Sequence, residues 1–333
     1  MIPPIERATI IGDGAMGTVC GLLLASRGVS VTMWGFFPEQ IAEIERLGEN
    51  RRFLPGHQLP DNFRVTTDAA DAFEGAELIV SAVPVQHMRG VWETIAPHCP
   101  AEARIISVAK GIEVETLLRP TQIIGQLVGA VTVGALSGPS IAPEVAAGLP
   151  ATVVVGSESL ELAKLTQASF NTRNFRVYTN PDLTGVELAG ATKNVVALAA
   201  GIIDGIGAGN NAKAALVTRG LVEITRLGVA LGAQSDTFRG LAGVGDLVTT
   251  CISPVGRNRS AGEKIGRGVP VAEVIASTDS VIEGIPTTQS VLALAHEYRV
   301  EMPITSAVYS VLFEHSSPAE AIEKLMSRQL KPE

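Results

Sequence analysis

The feature that most constrains this chain is Gly12-Asp13-Gly14-Ala15-Met16-Gly17, set between the apolar stretch 8–11 and a helical pattern running to Arg27. A strand that turns at once into a helix needs small residues at fixed places. Gly12 makes the turn, Gly14 lets the backbone approach a pyrophosphate, and Gly17 packs helix on strand. The helix start then offers amide donors and the positive end of its dipole to phosphates. The same glycines would also serve a plain tight turn, for backbone freedom alone. A second short apolar strand at 30–35 supplies the context that the dinucleotide reading requires.

Further apolar runs of strand length stand at 77–84, 104–111, 132–140, 151–156 and 175–180, with helical patterns between the earlier ones. Strands alternating with helices at this spacing predict a parallel sheet covered on both faces. After Pro181 the pattern changes to helices at roughly 183–204, 211–231, 257–267, 286–298, 303–314 and 318–327, with no convincing strand. The expected fold is therefore an α/β N-terminal Rossmann-type domain, residues 1–180, followed by an all-α C-terminal domain, residues 181–333. A length of 333 residues agrees with two domains.

Composition narrows the partners. With 46% hydrophobic and 18% charged residues there is ample material for a core. The formal net charge of −8 argues against nucleic acid or an acidic membrane, and leaves any anionic ligand to be captured by local cations. Cys20, Cys99 and Cys251 are widely spaced and make no CxxC or Cys/His cluster, so neither a disulfide framework nor a metal site is expected. Glu6 and Arg7 interrupt the place where a signal peptide needs its apolar core. The best membrane-spanning candidate contains Lys193 and Asp204. A soluble cytoplasmic protein is the expectation.

Several charged residues stand where a solvated surface would not put them. Lys110 ends a buried strand, at the sheet edge that faces the ligand crevice in open α/β folds. Gly138-Pro139-Ser140 follows another strand, so its amides and the Ser140 hydroxyl point the same way, unless the segment is a plain turn. Lys193 sits in GVELAGATKNVVALAAGIIDG with small apolar neighbours one turn before and after, and no carboxylate at helical neighbour positions. Two readings stay open on spacing alone: a lysine that snorkels along a small-residue face, or an ammonium in a water-poor cleft whose desolvation favours the neutral amine. Gly243-Val244-Gly245-Asp246 reads as a glycine-rich bend carrying a carboxylate. Arg257 opens a helix, where a cation opposes the dipole unless an anion binds there; Arg259 reads as a surface arginine.

The second strand ends in Trp34-Gly35-Phe36-Phe37-Pro38-Glu39, with neither the acid that grips a ribose 2′-hydroxyl nor a base for a 2′-phosphate at its tip. Arg51 and Arg52 lie downstream. NAD and NADP both stay open.

Taken together, these motifs resemble NAD(P)-dependent glycerol-3-phosphate dehydrogenase. The words that carry the resemblance are VAKGIE (108–113), SGPSIAPEVAAGLP (137–150), GATKNVVALAAGIIDGIG (190–207), ALVTRGLVEITRLG (215–228), GVGDLVTTC (243–251), GRNR (256–259) and VIEGIPTT (281–288). The resemblance implies that Lys193 gives or takes the proton at the C2 oxygen of dihydroxyacetone phosphate or glycerol 3-phosphate. It implies that Lys110, Gly138, Ser140, Asp246, Gly256, Arg257 and Asn258 surround that phosphorylated triose. It also implies that Ala15, Met16, Phe36, Lys110, Ala142, Arg257, Val281 and Glu283 join Gly12, Gly14 and Gly17 around the cofactor, and that the chain works as a homodimer in phospholipid biosynthesis. The sequence departs from the family's commoner pattern at Ala15, Met16, Phe36, Phe37 and Gly256. Two other readings share the architecture: a β-hydroxyacid or ketopantoate-type reductase, and a non-catalytic dinucleotide sensor.

Overall fold

The computed structural model describes residues 4–129 and 131–329. The chain divides into two compact units: 1–110 with 119–187, and 111–118 with 188–333.

The first unit is built on eight strands: β1 (Arg7–Ile11), β2 (Ser30–Trp34), β3 (Phe63–Thr66), β4 (Leu78–Ser81), β5 (Arg104–Ser107), β6 (Thr132–Ser137), β7 (Ala151–Gly156) and β8 (Phe175–Asn180). They form one sheet in the order β3-β2-β1-β4-β5-β6-β7-β8. Ile10, Met33, Leu78, Val80 and Ile106 are fully buried in its core, as runs covered on both faces must be. The Rossmann-type order reverses at β1, so the loop after β1 opens at the topological switch point.

Two details differ from the sequence reading. β3 has no apolar run to announce it; it is a four-residue edge strand, paired only to β2 and half exposed. β7 runs antiparallel to β6, while every other pair is parallel. The segment between them holds only the five-residue helix Ala142–Ala146. A parallel return needs a crossover long enough to span the sheet, so β7 starts at the edge where β6 ends.

Glu187 closes this unit. Its carboxylate is buried and accepts from the Thr121 backbone N–H at 2.9 Å, from the Thr121 hydroxyl at 2.7 Å and from Arg119 Nη1. A buried charge is tolerated here because each oxygen is met by a donor.

The second unit is helical; among the described residues after Asn180 there is no strand. Its principal elements are the long helix Leu183–Gly205 from Leu188 onward, then Gly209–Ala230, Asp246–Ile252, Arg257–Gly266, Gly284–Glu297, Pro303–Phe313 and Pro318–Met326. The helix Leu183–Gly205 is long and apolar enough to cross a membrane by length and composition, but its apolar window is entirely buried inside the protein. Pro303–Phe313 lacks a capping side chain of its own. Buried Glu223 does that service from Gly209–Ala230, accepting from the N–H of Ile304 at 2.9 Å and of Thr305 at 2.8 Å.

Two helices of this unit approach closely where two glycine pairs cross. Gly201 and Gly205 face Gly262 and Gly266 of Arg257–Gly266. A Cβ at Gly201 would lie 1.9 Å from the Arg259 carbonyl oxygen, and one at Gly262 would lie 2.1 Å from that of Leu198. No side chain fits between these backbones, which is why the long helix is so rich in small residues. The crossing is locked by charge. Asp204 accepts from Lys213 at 2.7 Å and from Arg259 Nη2 at 2.7 Å, and Arg259 also pairs with Glu263 at 3.0 Å. Burial pushes the Asp204 carboxyl up, and the bonds from Lys213 and Arg259 more than reverse this. Arg259 is thus an inner ion-pair partner rather than the surface arginine expected from the sequence. Gly201→Val should cost about 3 kcal/mol or more through overpacking; urea unfolding with a near-native midpoint would show that the two backbones can part.

Candidate active site

In the first unit, polar groups collect at the ends of β1, β5 and β6. The loop after β1 has the three glycine roles in separable form. Gly12 has φ +107°, open to glycine with little strain, and a Cβ there would meet the Ala82 backbone at 3.0 Å. A Cβ at Gly14 would have nothing within 4 Å, which leaves room for a ligand against bare backbone. A Cβ at Gly17 would stand 2.1 Å from the Gly12 carbonyl oxygen, so the helix Ala15–Ala25 can sit this close to β1 only without a side chain. The loop is pinned from outside by Asn50, fully buried, whose Nδ2 donates to the Asp13 carbonyl at 2.7 Å and to Thr18 Oγ1 at 2.8 Å. A dinucleotide fits such a cradle: an open Gly14, amides at a helix start, and the switch point of the sheet. Ala15 and Met16 open that helix, and Met16 packs partly on the core. Phe36 stands beyond β2, 53% exposed, edge-on to Trp34 at 6.2 Å between ring centres.

Lys110 follows β5, and its Nζ donates to the Gly138 carbonyl at 3.0 Å; the Ser140 hydroxyl donates to the same oxygen at 3.0 Å. The structure therefore joins Lys110, Gly138 and Ser140. Gly138 must be glycine: its φ is +129° and a Cβ would press on Val153 Cα at 3.0 Å. Ala142 begins the short helix that follows and packs against the core.

In the second unit, Lys193 is 5% exposed and Asp246 2%. Lys193 Nζ donates to Asp246 Oδ1 at 2.5 Å and to the Thr250 hydroxyl at 2.6 Å. The expected bend at 243–246 is instead a π-helical turn, Leu241–Gly245, running straight into Asp246–Ile252. That is why Thr250 escaped the sequence reading. It lies four residues after Asp246, on the same face of a helix, and a bend has no such register.

The start of Arg257–Gly266 is organised by Asn258 rather than by a capping side chain. Asn258 Nδ2 donates to Asn194 Oδ1 at 2.9 Å, and Asn258 Oδ1 accepts from the Gly284 N–H at 2.8 Å. One amide thus ties the long helix, its neighbour and the start of Gly284–Glu297. Gly256, just before the helix, has its would-be Cβ 3.2 Å from the Thr250 carbonyl oxygen. Arg257 Nη1 donates to the Val281 carbonyl at 3.3 Å. Arg257 is exposed, with nearby protein atoms lowering its pKa and the charge of Glu283 working against that, so Arg257, Val281 and Glu283 form one group. The guanidinium remains cationic at any working pH.

Competing chemistries find little support. Burial pushes the Cys20 and Cys251 thiols to about 12 and Cys99 to about 11, so none is a ready nucleophile. Among the described residues no group of three or more His, Cys, Asp or Glu side chains could hold a metal ion.

A Rossmann unit with an open glycine cradle, joined in one chain to a helical unit that holds a buried ammonium, has the parts a two-domain nicotinamide-dependent oxidoreductase needs: a seat for the dinucleotide and a proton donor. Comparison with known proteins narrows the class. The family model for the NAD-dependent glycerol-3-phosphate dehydrogenase N-terminus matches residues 7–163, and that for its C-terminus matches residues 182–323. A relative from Chlorobium phaeobacteroides, named glycerol-3-phosphate dehydrogenase [NAD(P)+], is 46% identical over 330 residues, covering 98% of this chain and 99% of its own. The crystal structure of glycerol-3-phosphate dehydrogenase from Coxiella burnetii is 36% identical, with a TM-score of 0.94, covering 98% of this chain and 100% of that one. The chain belongs to the NAD-dependent glycerol-3-phosphate dehydrogenase family. A ketopantoate reductase from Ralstonia eutropha, 17% identical with a TM-score of 0.60, shares the fold.

Gly17→Ala tests the cradle. Its methyl must drive the helix away from β1, so we expect a loss of about 1–3 kcal/mol in thermal unfolding, together with weakened nucleotide binding by titration. An unchanged melting temperature would mean that the loop yields freely.

Proposed function

We propose that this protein interconverts dihydroxyacetone phosphate and sn-glycerol 3-phosphate with NAD(P)H, supplying glycerol 3-phosphate for glycerophospholipid synthesis. The observation that most supports this is the buried Lys193–Asp246–Thr250 set in a member of that family. The nicotinamide supplies the hydride in reduction and receives it in oxidation. Lys193 Nζ donates a proton to the C2 oxygen as that oxygen gains negative charge, and takes it back in the opposite direction. Reduction thus leaves a secondary alcohol and a neutral amine, which recovers its proton from solvent. Asp246 and Thr250 occupy two of the ammonium's three donors and so fix where the nitrogen points.

The remaining assignments follow from the family. In the first unit, Lys110, Gly138 and Ser140 contact substrate, while Gly12, Gly14, Ala15, Met16, Gly17, Phe36, Lys110 and Ala142 contact the cofactor. In the second, Gly256, Arg257 and Asn258 receive the phosphate, and Arg257, Val281 and Glu283 also touch the cofactor. Residues 1–180 are the nucleotide-binding portion and 181–333 the substrate-binding and catalytic portion, a division the spans of the two family models support. The enzyme is a cytoplasmic homodimer on this reading, which sedimentation or size-exclusion with light scattering would check.

Oxidation of NADH or NADPH on addition of dihydroxyacetone phosphate tests the activity directly; no oxidation of either removes the proposal. Lys193→Ala should lower turnover by about 10²–10⁴-fold while leaving nucleotide binding nearly intact, and near-normal turnover would take Lys193 out of the mechanism. Arg257→Ala should raise the KM for dihydroxyacetone phosphate far more than it lowers kcat. A KM that stays put would mean the phosphate is held elsewhere.

A further inference from the structure

The glycine cradle carries a residue that the family assignments above do not use. In Rossmann folds an acid at the end of the second strand accepts a hydrogen bond from the ribose 2′-hydroxyl and excludes a 2′-phosphate. Here β2 ends at Trp34 and is followed by Gly35, which could not be an acid. A Cβ at Gly35 would lie 2.4 Å from Ile41 Cδ1 and 3.1 Å from Asp13 Cγ. The space that a strand-end side chain would enter is taken first by Ile41, with the Asp13 carboxyl beside it.

Asp13 is delivered there rigidly. Its neighbour Gly12 donates its N–H to the Trp34 carbonyl at 2.9 Å, which fastens the loop to the end of β2. Its own carbonyl is held by buried Asn50. Its Oδ2 is buried with no hydrogen-bond partner among the described residues. Burial pushes the carboxyl above the usual range, with its own backbone N–H and the charge of Arg52 pulling it back. An acceptor so placed lacks a donor, and a hydroxyl is one where a phosphate is not. Among the other groups near this strand end, Arg52 is a cation whose charge acts on Asp13, and the carboxylate offsets it. Phe36 and Phe37 are uncharged, and Arg51 is engaged by Glu49 at 3.1 Å. Arg52 has its guanidinium carbon 5.1 Å from the ring centre of Phe53.

We propose that Asp13, from inside the glycine motif, replaces the strand-end acid: it accepts from the ribose 2′-hydroxyl and makes this enzyme select NAD over NADP. The proposal rests on the dinucleotide reading of the cradle and adds to it the residue that discriminates.

The test is equilibrium binding, followed by nicotinamide fluorescence or calorimetry, of NADH and NADPH to the full-length wild type and to Asp13→Asn. The wild type should bind NADH at least about tenfold more tightly than NADPH, the scale of one charge-assisted hydrogen bond. Asp13→Asn should bring the two dissociation constants to within about threefold, by weakening NADH and strengthening NADPH. Should Asp13→Asn not fold, Asp13→Ser carries the same expectation. Competition against bound NADH by ADP-ribose and 2′-phospho-ADP-ribose on the wild type reads the preference without any substitution. Equal affinity of the wild type for both nucleotides, or a ratio unmoved by the substitution, overturns the assignment of Asp13 and leaves the dinucleotide site standing. Binding of neither nucleotide by the wild type would overturn the dinucleotide reading itself.

Discussion

The second unit depends on one contact, the crossing of Gly201 and Gly205 over Gly262 and Gly266. Because no side chain separates the two backbones, the helix Arg257–Gly266 is held at a fixed height along the long helix. Three things follow from that height. Arg259 reaches Asp204, Asn258 reaches Asn194, and Gly256 comes against the carbonyl of Thr250. Lys193 and Asn194 are neighbours on the long helix, and Thr250 and Asp246 share the helix that the ammonium meets. Glycines far from any chemistry thus set the positions of the side chains on which the chemistry is proposed to rest.

Three buried charges in this protein are each met by more than one partner. Asp246 and Thr250 both receive the Lys193 ammonium, Thr121 and Arg119 both serve Glu187, and Glu223 collects two backbone N–H groups and a hydroxyl from the start of a helix. A lone ion pair repays its desolvation poorly, and extra hydrogen bonds to the remaining lone pairs shift that balance. The arrangement also suits an acidic chain with an anionic substrate. With a net charge of −8 the overall field opposes the phosphate, so capture falls to a few cations at fixed places.

In the nucleotide-binding unit, loop and strand end act as one piece. The glycines let the loop approach β1 and β2 closely enough for a backbone bond from Gly12 to Trp34, and that closeness brings a loop carboxyl to the end of the strand. A strand tip that carries no charge in the sequence has beside it in space the carboxyl of a residue more than twenty positions earlier.

The amino-acid sequence by itself determined the two-part architecture, the glycine cradle and most of the helices, because each leaves a local trace: a period of apolar residues, or glycines at set intervals. It also singled out Lys193, since an ammonium among alanines and valines is conspicuous in a linear string. Only the tertiary structure decided what those residues meet. β3 and the reversed β7 were hidden because pairing partner and direction are not local properties. Thr250 was hidden because a π-turn put Asp246 and Thr250 on one helix face where glycines suggested a bend. Arg259 read as a surface cation until a glycine crossing drew its helix in to Asp204. Asp13 filled no role in the sequence because the strand end it stands beside is contributed by a different element. Local pattern says which element a residue belongs to; long-range packing decides its neighbours, and the neighbours carry the chemistry.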